Sequence, residues 1–342
     1  MSGGLKRMLA PGALALAVLL AAPLAADASI AFVRGFAKPA VWAAQDNGSG
    51  QRRLSLGFSP HVSPDGTTVA FMSFASSPTA PPRLMLVPTS GGAPRTLASG
   101  WRDPESFAWS PNSGTVAAVL GPEIGKDRLV LIDVEDGSQQ TLASGYFSGV
   151  SFSPNGESLA YAMARNERQQ QRSNIYRVAL TGGSPVAITH DDRSLWPLWG
   201  PSGKIVFVKL LDAKRRLYGP KNELFTMSPS GGQVHQLTHT VVGPLVQGLV
   251  PTQWSASGSR LLCEFGGQDT SYAVTVNPKT GAEHTVGGTG GFVASALSAS
   301  GSTIFGFTGF LGPGPHNIAT VGYRGGPVKT LIRNGIEPSV GG

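Results

Sequence analysis

The chain has 342 residues, a formal net charge of +7 and a charged fraction of only 14%. Cys263 is its single cysteine, which excludes an internal disulfide and a paired-cysteine metal site, so the fold must rest on burial alone. Gly and Pro number 46 and 26, a balance that favours strands and turns over helices.

The first 28 residues read as a secretory signal peptide. Lys6 and Arg7 form a basic start, "ALALAVLLAAPLAA" is apolar, and Ala26-Asp27-Ala28 offers a small-x-small site with cleavage after Ala28. The alternative is an uncleaved anchor, but the apolar stretch is shorter than the ~20 residues of a spanning helix and is broken by Pro23. Nothing later reads as a transmembrane segment. The mature chain, 29–342, is therefore expected to be a single domain, periplasmic or secreted. Losing Lys6, Arg7 and Asp27 leaves it at +6, a balance that permits encounter with anionic polymers and says nothing of fold.

A hairpin pattern then recurs down the chain. It is seen in "FSPHVSPDGTTVAFMSF" (58–74), "ESFAWSPNSGTVAAVL" (105–120), "VSFSPNGESLAYA" (150–162) and "WPLWGPSGKIVFVK" (196–209). Degraded copies are "PTQWSASGSRLLCEF" (251–265) and "VASALSASGSTIFGF" (293–307). The closing glycines are Gly66, Gly114, Gly156, Gly203, Gly258 and Gly301, a spacing mostly in the forties that signals stacked supersecondary units. Ser63-Pro64-Asp65-Gly66 fits a type I turn: Pro presets φ, Asp bonds the local backbone, and Gly accepts positive φ. The apolar run after each turn predicts a strand covered on both faces.

A second turn follows each hairpin, at Gly91-Gly92, Asp136-Gly137, Gly182-Gly183, Gly231-Gly232, Thr280-Gly281 and Gly325-Gly326. A seventh, Asn47-Gly48-Ser49-Gly50, lies near the start, where only three strands precede the next unit. The C-terminal "NGIEPSVGG" supplies the missing strand. The expected fold is all-β: a seven-bladed β-propeller of four-stranded blades, closed by pairing of N- and C-terminal strands. Six blades with a loose tail is the alternative.

These repeats resemble the TolB-type β-propeller repeat of exported bacterial proteins, best in "FSPHVSPDGTTVAF", "VSFSPNGESLAYA", "SNIYRVALTGGSPVAIT" and "NELFTMSPSGGQVHQLT". The resemblance spans nearly all of 30–342 and implies blades, not a site. The α/β domain that TolB itself carries before a six-bladed propeller does not fit here, so that protein's envelope role is not carried over. Similar repeats precede the hydrolase domain of prolyl oligopeptidase-like enzymes, but no hydrolase domain is expected within these residues.

Motifs for chemistry are few. No Gly-x-Ser-x-Gly, phosphate loop or dinucleotide fingerprint occurs. His235 and His239 are four apart, but "QVHQLTH" reads as a strand, where that spacing chelates poorly. Asp133, Glu135 and Asp136 fail the calcium-loop pattern and read as a hairpin turn. No metal or other cofactor is expected. Asn47-Gly48-Ser49 is formally a glycosylation sequon but reads as turn chemistry. Cys263, in "RLLCEF", reads as a buried thiol.

Surfaces remain. Inter-blade segments carry Trp101, Arg102, Asp103, Glu105, Tyr146, Asp191, Asp192, Arg193, Trp196 and Gln253, and His61 precedes a blade turn where it can face the channel. Arg with Trp and Tyr suits a binding centre, although each Trp also suits packing between blades. Longer loops add Arg165, Arg168, Arg172, Lys214, Arg215, Arg216 and Lys221, a potential that would attract anions. The expectation is a monomeric, non-catalytic propeller binding an envelope or extracellular protein, or an anionic glycan, at the channel mouth; nucleic acid is not expected. The alternative is an enzyme acting on an anionic polysaccharide, similar to propeller lyases, with His61 as base.

Overall fold

The computed structural model describes residues 29–74, 81–121, 127–164, 172–211, 220–243, 246–267, 270–288, 291–309 and 315–341, with backbone alone at 102–105 and at Thr270. The expected leader, and the loop cations Arg165, Arg168, Lys214, Arg215 and Arg216, lie outside the described residues. Among the described residues every regular element is a strand, 28 in all, and no helix long and apolar enough to cross a membrane occurs.

The strands fall into four-stranded antiparallel groups paired in chain order. The first complete unit is Phe58–Val62, Thr68–Ser73, Arg83–Pro88 and Arg95–Ser99. The second is Trp101–Trp109, Thr115–Leu120, Arg128–Asp133 and Gln139–Ser144; the third is Tyr146–Phe152, Ser158–Ala164, Ser173–Ala179 and Val186–Ala187. The fourth is Ser194–Trp199, Ile205–Leu211, Lys221–Met227 and His235–Gln236; the fifth is Val246–Trp254, Leu261–Gly267, Thr270–Val276 and Glu283–Val286. A single parallel bridge, Asn222 to Gly248, joins these two into one sheet. The sixth is Phe292–Leu297, Thr303–Thr308, Asn317–Gly322 and Lys329–Ile332.

The last sheet joins the two ends of the chain. Its order is Ile336–Gly341, Ser29–Arg34, Ala40–Gln45 and Arg52–Leu56, with Ser29 opposite Gly341, Ile30 opposite Val340 and Ala31 opposite Ser339. The tail thus lends its strand to the head, as the repeat count implied.

The hairpin turns show why Ser, Pro, Asp or Asn, and Gly recur. Ser63 Oγ donates to Asp65 Oδ1 at 2.5 Å and accepts from Thr68 N at 3.0 Å, while Gly66 N donates to Ser63 O at 2.9 Å. The same three bonds recur around Ser153, with Asn155 and Gly156. One expectation needs correction: in Ser110-Pro111-Asn112-Ser113-Gly114 the left-handed residue is Ser113, at φ 61°, and not Gly114. The loop keeps its hydrogen-bond frame, since Ser113 N donates to Ser110 O, and so the left-handed conformation falls on a serine. Ser113 Oγ then accepts from Asp65 N at 3.1 Å in the preceding unit.

Burial follows the expected two-sided pattern. Along Ser158–Ala164, Leu159 and Tyr161 pack with Ala117 and Val119 of the second unit. Ala160 and Ala162 point the other way, toward Phe207, Ile205 and Trp199 of the fourth. Alternate residues of a strand leave opposite faces, so one strand fills two seams. In the closing sheet Ile30 and Phe32 pack against the sixth unit while Ala31 packs against the first. Outer strands such as Gln139–Ser144 are largely exposed. The outer hairpin of the closing sheet runs so near its neighbour that a Cβ on Gly48, at φ 79°, would lie 2.9 Å from Leu331 O.

A second set of bonds ties inner strands across seams. Trp109 Nε1 donates to His61 O at 3.1 Å, Gly149 N to Ser106 Oγ at 3.1 Å and Trp199 N to Ser151 Oγ at 2.9 Å. Gln253 clasps Leu297, with Oε1 accepting from Leu297 N at 2.8 Å and Nε2 donating to Leu297 O at 3.0 Å. Val62 N donates to Ser339 Oγ at 3.0 Å across the closing seam.

Two outcomes test this architecture. Leu159→Ala, which empties one seam, is expected to lose about 2–5 kcal/mol in urea unfolding. Deleting residues 333–342 removes the tail strand and is expected to lower the melting temperature by more than about 10 °C; unchanged melting would show that the closing pair carries no stability.

Candidate functional site in the inner-strand wall

The inner strands are not regular. Ser59, Trp196 and Glu337 hold φ of 49°, 45° and 53°, and each immediately precedes a proline: Pro60, Pro197 and Pro338. Register slips at the same points, between Phe58 and His61, between Leu195 and Leu198, and opposite Ala31 and Val33. Proline cannot donate to the ladder and so favours a bulge. A positive φ on a residue with a Cβ costs on the order of 1–3 kcal/mol, and such strain collects at functional sites.

Two of these bulges meet. Ser59 N donates to Glu337 Oε2 at 3.1 Å across the closing seam. They share a cavity of about 400 Å³ with Pro60, His61, Thr252, Gln253, Ser295 and residues 338–340. Strands of the first, fifth, sixth and closing units therefore supply one wall. Among the described residues Glu337 is its only acidic residue, and no Lys or Arg contributes to it.

The charge states follow from packing. The His61 ring lies 4.6 Å from Phe107 and 5.9 Å from Trp101, and burial pushes its pKa down to about 4. It is neutral at neutral pH. Glu337 opens onto the cavity but is crowded by the strands around it, and this desolvation raises its pKa against the lowering effect of the Ser59 bond. At neutral pH the wall holds a carboxylate, a neutral imidazole and several hydroxyls.

The residues singled out from the sequence separate into groups. His61 and Gln253 come together in this cavity, although both amide atoms of Gln253 are engaged by Leu297. Trp101 does not reach a mouth: it is fully buried among Leu84, Leu97 and Leu120, because the seam is filled by the large side chain that starts the next inner strand. The side chains of Arg102, Asp103 and Glu105 lie outside the described residues. Tyr146 is half-buried at the start of its strand. Asp191 is spent on Lys209 Nζ at 2.8 Å, Ser194 Oγ at 2.8 Å and Arg193 N at 3.0 Å, which keep its carboxyl below the usual range despite burial. Asp192 Oδ1 accepts from Asn174 Nδ2 at 2.6 Å, Arg193 is exposed, and Trp196 packs on the seam beside Leu195 and Leu249.

Other candidates are structural. Glu223 is fully buried, paired with Lys221 and bonded to Thr238 Oγ1 at 2.6 Å; Thr240 bridges it to Glu283. Cys263 is fully buried and its thiol is pushed well up by desolvation, the state of an inert core residue. Among the described residues no group of three His, Cys, Asp or Glu could hold a metal ion. Glu337 and Ser59 were missed by sequence reasoning. The available signal was Pro inside an inner strand, in "FSPHV" and "IEPSV", read only as strand or turn.

His61 makes a pH prediction. Its folded pKa lies below the unfolded value near 6.5, so the unfolded chain binds more protons between these values. The contribution is present above pH 6.5 and lost as pH falls toward 4. The wild-type melting temperature should fall across this window, and His61→Phe should flatten the fall. An imidazole resonance of His61 titrating near 6.5 would contradict the assignment.

No family model matches the sequence, and no curated protein matches it closely enough to name a relative. Solved structures do match. TolB from Acinetobacter baumannii aligns with a TM-score of 0.56 at 14% identity, over 92% of this chain and 82% of that one. An oligogalacturonate lyase in complex with manganese gives 0.60 at 12%, over 89% and 84%. The β-propeller domain of the trilobed protease from Pyrococcus furiosus, described as an open velcro topology, gives 0.65 at 12%, over 90% and 93%. At such identities the likeness carries fold alone. The chain folds as a β-propeller, similar in structure to TolB proteins and to other propellers.

Proposed function

We propose that the mature chain is an exported, seven-bladed β-propeller that binds a partner at the channel face of its inner strands, without a covalent step. The 28 strands and the tail-to-head pairing support seven blades of four. The leader pattern in residues 1–28 supports a periplasmic or secreted location. The observation that carries the binding reading is the strained pair Ser59 and Glu337, held by one hydrogen bond in the wall of a 400 Å³ cavity. A rigid ring presenting such a wall is a scaffold for recognition. Because the cavity carries a carboxylate and no described cation, a protein partner fits it better than an anionic glycan.

The lyase alternative draws on the oligogalacturonate lyase fold and on His61 in the cavity wall. An imidazole with a pKa near 4 is a weak base at neutral pH, which favours binding over proton abstraction.

Crosslinking of mature protein in the native envelope, read by mass spectrometry, is expected to capture a specific protein through residues beside this cavity. Loss of that capture in a Ser59→Pro, Glu337→Ala variant that still melts cooperatively is the expected control. Capture of no component sinks the binding reading. Unsaturated-product absorbance with acidic polysaccharides, abolished by His61→Ala, would replace it with the lyase.

A further inference from the structure

The cavity's chemistry narrows what it recognises, on the reading that the channel face binds a partner. Glu337 Oε2 is engaged by Ser59 N at 3.1 Å, while Oε1 meets no donor among the described residues. One carboxylate oxygen is therefore fixed and one is open to the cavity. No described Lys or Arg lines the wall to neutralise it, and the neutral His61 supplies no positive charge. The described wall thus carries one negative charge inside a chain whose overall balance is strongly positive.

A single carboxylate matches a single positive charge. A divalent ion such as Ca²⁺ needs six or more oxygen ligands and commonly several carboxylates, which this wall lacks. A guanidinium gains most from a carboxylate whose two oxygens are both free to pair side by side, but here Ser59 N already occupies one acceptor site of Oε2. An ammonium is a point charge with three donors, suited to one carboxylate oxygen and nearby hydroxyls. Ser59, Thr252 and Ser295 bring hydroxyl-bearing side chains to the same wall, and Pro60, Pro338 and Val340 supply apolar surface for an alkyl stem. The Ser59 N bond holds the acceptor in place before any ligand arrives, at the cost of positive φ at Ser59 and Glu337.

We propose that the inner-strand cavity is a receptor for a primary alkylammonium group, with Glu337 Oε1 as its ionic acceptor. The group is either a small free amine or the amino group of a peptide, through a lysine side chain or a chain terminus.

The Ser59 amide reports on the site, since it donates to the same carboxylate. In ¹H–¹⁵N spectra of the mature protein, n-butylammonium is expected to shift that amide saturably, and n-butanol and galacturonate are not. A lysine-containing peptide with both ends blocked, and a lysine-free peptide with a free N-terminus, separate the peptide sources; tighter binding of either than of butylammonium assigns a peptide amine, and weaker binding of both assigns a small free amine. Glu337→Gln keeps an acceptor for Ser59 N and is expected to fold normally while losing affinity for the ammonium probes at least tenfold. Equal or tighter binding of butylguanidinium, binding of galacturonate, retained affinity in Glu337→Gln, or no shift with any amine each overturns the proposal. Envelope crosslinking is a separate readout: capture that persists when all amines fail leaves the channel-binding reading standing and removes only this ligand assignment.

Discussion

The structure depends on one constraint: the second strand of each unit is apolar on both faces and no single sheet can cover both. Leu159 and Tyr161 need the second unit, and Ala160 and Ala162 need the fourth. Each sheet is thus stable only between two others, a nearest-neighbour logic that in an open array would leave two uncovered ends. Pairing Ile336–Gly341 with Ser29–Arg34 gives the first and last units a shared sheet and brings its two faces against the first and sixth units. Size alternation is part of the solution. Where one strand offers Ala160 and Ala162, the neighbour fills the seam with Phe207 and Trp199.

Closure and site are the same event at one place. The tail strand that completes the sheet also carries Glu337, Pro338 and Ser339 into the inner wall. Ser339 Oγ accepts from Val62 N, and Glu337 from Ser59 N, so the closing seam is bonded by two side chains of the last strand. A bulge at an inner strand usually weakens the ladder; here it turns Glu337 toward Ser59 and the cavity. The local cost in strain is offset by burial elsewhere in the seam, among Val62, Val69 and Phe71.

The aromatic residues divide between these roles. Trp109 and Trp199, each just before a hairpin turn, give their indole nitrogens to His61 O and Gly203 O. Trp101 fills a seam completely. Their composition had suggested a recognition surface, but a propeller seam is wide enough to consume large rings, and burial wins over display. His61 sits where the two demands meet, packed at a tilt against the buried aromatic group on one side and facing the cavity on the other.

The sequence by itself determined the strand count per unit, the turn chemistry and the pairing of the two chain ends. Those features are local or periodic: a Ser-Pro-Asn-Gly turn, an apolar run and a missing strand are legible without coordinates. The shift from Gly114 to Ser113 was not, because only the hydrogen-bond frame decides which residue of a five-residue loop becomes left-handed. Nor was the site. Ser59 and Glu337 are 278 residues apart and become neighbours only when the ring closes, and Trp101 is hidden only once two sheets meet. Spacing along a chain encodes blades; the approach of distant inner strands, set by the twist and packing of every sheet between them, decided which side chains share the cavity.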